Sequence, residues 1–67
     1  MNIRYDREEE VLMLELDPQG QIDHAEHIDS VITHLTRSGS PVLLEILDAT
    51  EFLTRVVRAA MRSKEPA

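Results

Sequence analysis

The sequence predicts an α+β fold, an antiparallel sheet of about four strands followed by one C-terminal helix packed on one sheet face. Three observations carry the prediction. Residues 11–16 and 41–47 alternate between two sets of side chains, as strands do. From residue 49 the apolar side chains Phe52, Leu53, Val56, Val57 and Ala60 recur at spacings of three and four, as on one helix face. Between the two patterns stands Asp48-Ala49-Thr50-Glu51, an acidic form of the capping box with Asp48 as N-cap and Glu51 as its reciprocal partner.

In chain order, residues 2–5 place Ile3 and Tyr5 on one side and Asn2 and Arg4 on the other, which suits a short first strand. The charged run Asp6-Arg7-Glu8-Glu9-Glu10 then turns the chain. A central strand follows, with Leu12, Leu14 and Leu16 on one face and Val11, Met13 and Glu15 on the other. Asp17-Pro18-Gln19-Gly20 ends it, because proline lacks a ladder donor and glycine accepts positive φ.

Residues 21–36 are two-valued. Ile22, Ala25, Ile28, Val31, Ile32 and Leu35 fall at helical spacing. Against a helix, residues 31–36 are rich in β-branched side chains, and Arg37-Ser38-Gly39-Ser40 suits a hairpin connection. Residues 31–36 are therefore assigned as strand, with 22–27 as an extended edge segment leading into it, strand or irregular. The stretch 41–47 then sets Val42, Leu44 and Ile46 opposite Leu43, Glu45 and Leu47, so Glu45 faces away from the side that meets the helix. Leu47 and Phe52 occupy the staple positions around the cap, and Arg58, Arg62 and Lys64 suit a helix C-terminus.

Sixty-seven residues make one domain, taken as 1–62 with 63–67 as a mobile tail. So short a chain buries only about 60% of its unfolded surface, and without cysteine it has neither disulfides nor a thiolate zinc site. A partner subunit is the expected remedy. The absence of cysteine fits a cytoplasmic setting, and no apolar run reaches membrane-span length. Thirteen acidic against seven basic residues, a net charge of -6, disfavour nucleic acid. With only Tyr5 and Phe52 aromatic, a base-stacking platform is not expected either.

The segments IRYDREEEVLMLEL and GSPVLLEILDAT carry a resemblance beyond periodicity. The first resembles the opening of a widespread small prokaryotic family, domain of unknown function 2283, whose members begin with a Tyr-Asp pair and continue Asp-x-Leu-Tyr-Ile; Tyr5 and Asp6 match it. The second is similar to the closing signature Gly-x-x-x-Gly-Ile-Glu-Ile-Leu-x-Ala-Ser, matched by Gly39, Glu45, Ile46, Leu47 and Ala49, with Thr50 for the serine. The resemblance spans residues 3–50 and implies an antiparallel β-meander followed by a helix, which turns 21–36 toward strand. It implies no activity and brings no catalytic residues. The chain departs from it where members read Val-Asp-Tyr-Asp-x-x-Gly, since residues 33–39 are Thr-His-Leu-Thr-Arg-Ser-Gly, and where Glu10 and Val11 replace an aspartate and its small neighbour.

The face away from the helix gathers Val11, Met13, Ile32 and Leu43, too apolar for water, and these are the expected residues of a homodimer or partner interface. Glu15, His34 and Glu45 share that face. Two carboxylates and an imidazole are the minimum for acid-base chemistry or for a divalent metal, although rim hydrogen bonding is the plainer reading. His24 and His27 project to opposite faces of a strand but to one face of a helix. The run Glu8-Glu9-Glu10 reads as a solvated turn or a contact for a basic protein. Ser30, Ser38 and Ser40 lack an activating base, and no cofactor fingerprint or phosphate loop occurs. The expectation is a noncatalytic, homodimeric interaction module. The alternative is a small metal-binding protein or metal-dependent enzyme with a site shared between subunits.

Overall fold

A computed structural model describes residues 1–62; the expected tail, 63–67, lies outside the described residues. Five antiparallel strands form one sheet: β1 (Asn2–Asp6), β2 (Val11–Glu15), β3 (His24–Ile28), β4 (Val31–Leu35) and β5 (Pro41–Ile46). A C-terminal helix, α1 (Ala49–Arg62), completes the α+β fold. The segment left open between strand and irregular structure contributes β3, one strand more than expected. Every residue of β3 is exposed, so it has no hidden face and hence no two-residue apolar pattern.

The strand order is β1-β2-β5-β4-β3. β1–β2 is a hairpin and β3–β4–β5 a meander, and the two join where β2 pairs with β5. Chain order and sheet order therefore part after β2. Residues 16–23 carry the chain across the end of the sheet to its far edge. Leu16 and Asp17 donate their amides to Val42 O at 2.8 and 3.2 Å, and Asp23 N donates to Leu35 O at 2.7 Å. The Leu16 bond continues the β2–β5 register by one pair beyond Glu15–Leu43, while on the other side of β5 the pairing with β4 jumps from His34–Leu43 to Leu35–Pro41, leaving Val42 as a bulge.

Local turn chemistry follows the sequence. The Asp6 carboxylate accepts from the Glu8 and Glu9 amides, both at 3.1 Å, shaping the acidic turn between β1 and β2. Asp17 accepts from Gln19 N at 3.1 Å. Between β4 and β5, Gly39 takes φ 92°, and Thr36 closes the turn by accepting from the Gly39 amide on its carbonyl and the Ser40 amide on its hydroxyl.

The register divides the side chains into two faces. One face carries the rows Tyr5–Leu12–Ile46–Val31–Ile28 and Ile3–Leu14–Leu44–Thr33–Glu26. The other carries Arg4–Met13–Glu45–Ile32–His27 and Asn2–Glu15–Leu43–His34–Ala25.

The helix occupies the predicted residues but does not lie over the first face. Only Ala49 in it is buried, with Phe52 half-buried, whereas Leu53, Val56, Val57 and Met61 are 45–76% exposed. The expected burial of the stripe against Leu12, Leu14, Leu16, Val42, Leu44 and Ile46 is thus confined to the first turn. The connection explains it. Only Leu47 and Asp48 separate β5 from α1; Leu47 N donates to Ser30 O at 2.7 Å and Ala49 N to Glu10 O at 2.9 Å. The start of the helix is thereby bound to the turns on both sides of it. Asp48 precedes the helix as expected, and its carbonyl accepts from Phe52 N at 3.0 Å. Its φ is 49°, outside the extended region usual for an N-cap, and among the described residues no hydrogen bond joins its carboxylate to the Glu51 amide. The bend is made by a left-handed backbone at Asp48, which a reciprocal Asp48–Glu51 box does not require.

Among the described residues the buried apolar side chains are Val42, Ile46 and Ala49, and no large side chain is fully enclosed. The radius of gyration is 14.0 Å, against about 11 Å for a compact domain of this length.

Candidate functional site

The face that combines apolar and ionisable groups is the one away from the Leu12–Ile46 rows, and β2, β4 and β5 supply most of it. Strand alternation places Val11, Met13 and Glu15 there from β2, Ile32 and His34 from β4, and Leu43 and Glu45 from β5. All seven are half-buried. These include the four residues expected at an interface and the three expected near a metal.

Glu45 stands in its row between Met13 and Ile32, and His34 in the next row beside Leu43. The two are diagonal neighbours on adjacent strands, close enough for long side chains to meet. His34 Nε2 donates to Glu45 Oε1 at 2.6 Å, with the side chains 21% and 29% exposed. A shielded imidazole-carboxylate bond satisfies two polar groups that would otherwise be costly on an apolar surface. This is the answer to a glutamate set in the run Leu43, Leu44, Ile46, Leu47: its carboxylate has a partner on the next strand.

Glu15 does not join them. It shares the row of His34, but Leu43 lies between, which separates the two backbones by two strand spacings, roughly 10 Å. It lines instead a hollow with Asn2, Arg4, Met13 and Leu43. Arg4 is the residue that the sequence reading left out of this face, although the alternation of β1 placed it with Asn2 opposite Ile3 and Tyr5. Among the described residues no group of three or more His, Cys, Asp or Glu side chains is arranged to hold a metal ion.

His24 and His27 lie on opposite faces of the edge strand β3. His24 Nδ1 donates to Asp23 Oδ2 at 2.8 Å in an exposed pair. Ser30 receives a long hydrogen bond, 3.4 Å, from the Arg55 guanidinium, and the Ser38 hydroxyl lies 3.1 Å from that of Thr36. Among the described residues neither serine hydrogen-bonds to an imidazole. Ser40 contributes through its backbone to the turn already described.

Chemically, the face offers one hydrogen-bonded imidazole-carboxylate pair, one further carboxylate beside an arginine, and an apolar strip of Val11, Met13, Ile32 and Leu43. No helix of the described residues is long and apolar enough to cross a membrane.

Compared with known families, residues 2–49 match the family described as protein of unknown function (DUF2283). No curated protein and no solved structure matches the chain.

Proposed function

The chain belongs to the DUF2283 family, and from that premise we propose that it is a noncatalytic, homodimeric protein-interaction module of the cytoplasm, whose acidic surface suits a basic partner protein. The observation that carries the reading is the lack of a closed core. With Val42, Ile46 and Ala49 the buried apolar residues, and apolar rows half-open on both sheet faces, the isolated chain keeps more hydrophobic surface in water than a small domain tolerates.

Six of the seven residues that match the family resemblance support a noncatalytic role, because they have structural work, while Tyr5 is 47% exposed. Asp6 organises a turn, Gly39 supplies a positive φ, Glu45 satisfies His34, Ile46 and Ala49 are buried, and Leu47 ties β5 to the β3–β4 turn. The face of Val11, Met13, Ile32 and Leu43 carries Glu15 and Arg4 beside its apolar strip, and the net charge of the chain, -6, favours a basic protein as its occupant.

Light scattering at micromolar concentration tests the assembly: the expected particle has twice the 7.7 kDa chain mass. A folded monomer overturns the reading. Affinity capture at moderate salt that retains no basic protein overturns its partner half.

A further inference from the structure

The exposed large apolar residues are unevenly placed. Among the described residues, Ile3, Tyr5 and Ile28 belong to the two rows of one sheet face, Leu53, Val56, Val57 and Met61 belong to α1, and Met1, Leu16 and Ile22 lie outside the strands and the helix. None comes from the face of Met13, Leu43 and His34. An apolar sheet face and an apolar helix stripe are natural counterparts, yet within one chain they do not meet. The two-residue connection holds the helix start to Ser30 and Glu10, and from there α1 leaves its stripe exposed beyond the first turn.

We infer that α1 is exchanged between two copies of the chain, the Leu53–Val57 stripe of each helix covering the Leu12–Leu14–Leu44–Ile46 face of the other. The inference rests on the homodimer reading and adds which surfaces meet.

Dimensions fit. Fourteen helical residues span about 21 Å, and five strands are about 19 Å across. Area fits as well. The chain exposes 5429 Å², against about 4300 Å² for a compact 7.7 kDa monomer, so two copies hold an excess on the order of 2000 Å², the size of a stable interface.

Charge favours this occupant over a sheet stacked on a sheet. Residues 1–48 hold eleven acids and three bases, net -8, whereas α1 holds Glu51 against Arg55, Arg58 and Arg62, net +2. Exchange sets the chain's basic element against its acidic one, while direct stacking of two sheets brings together bodies of like charge.

The test is an isotope-filtered nuclear Overhauser measurement on the full chain, refolded from an equimolar mixture of ¹³C-labelled and unlabelled protein. Intermolecular signals between the methyls of Leu53 or Val57 and those of Leu14 or Leu44 are expected. A dimer whose intermolecular signals join only Met13 and Leu43, or only helix to helix, overturns the exchange and leaves the homodimer standing. A particle of monomer mass overturns both.

Discussion

Among the described residues, three other than glycine adopt left-handed backbone, Glu10, Asp29 and Asp48, with φ of 58°, 52° and 49°. All lie at the end of the sheet from which the helix departs, in the β1–β2 turn, the β3–β4 turn and the link to α1. A side chain in that conformation costs roughly 1–2 kcal/mol, somewhat less for aspartate, while glycine there gives back about 0.5–1 kcal/mol through a freer unfolded chain. Glu10→Gly is accordingly expected to raise stability by about 0.5 kcal/mol in urea titration, since the tie to Ala49 uses only the Glu10 carbonyl. Asp48 separates two physical causes. If backbone conformation is its contribution, Asp48→Gly is neutral or better and Asp48→Ala costs about 1 kcal/mol; equal losses in both would mean that the carboxylate caps the helix after all. The His34–Glu45 bond, shielded and 2.6 Å long, should show a coupling of about 1 kcal/mol in a double-mutant cycle with leucine at each position. A cycle that closes to zero would show that water satisfies both groups equally well.

At the scale of elements, what was legible in the sequence depended on whether an element hides one side. β5 does so, with Val42 and Ile46 buried on one face, and β2, half-buried throughout, keeps the alternation, which gave the extent of both to within one residue and the facing of Glu45. β3 hides nothing, and its Ala25 and Ile28 happened to continue a helical spacing from Ile22 to Leu35, so only its neighbourhood suggested strand. The pairing of β2 with β5 was beyond reach, because nonlocal adjacency leaves no mark in local pattern. The same limit kept Glu15 in a predicted cluster with His34 and Glu45, since face is set by parity but row by register. The helix shows the point most clearly. Its stripe told which side is to be covered, and the short link, not the stripe, decides that its own sheet is not the cover. A fourteen-residue helix without tertiary cover is marginal in water. Dilution that separates the two copies should therefore reduce ellipticity at 222 nm. A helical signal constant from hundreds of micromolar to below the dissociation constant would mean that α1 is stable alone.

For the whole molecule, the flat, open shape and the thin core have one thermodynamic consequence. Folding of the isolated chain leaves both sheet faces half-open, so in the proposed dimer a further share of the apolar transfer energy, about 25 cal/mol per Å², is released when two copies meet. Under that condition unfolding and dissociation are one event, and mass action makes the midpoint depend on concentration. A tenfold rise in protein concentration adds about 1.4 kcal/mol to the stability of the dimer against two unfolded chains. For chains of this size, a change of 1 kcal/mol moves Tm by several degrees, and because each dimer unfolds two chains the expected gain is about half that per tenfold step, roughly 2–5 °C. Calorimetry over three decades of concentration reads this directly. A Tm that stays fixed over that range would mean that a single sheet with a projecting helix is stable by itself, and the open apolar rows of Tyr5, Leu12, Val31 and Ile28 would then have to be wet in the native state.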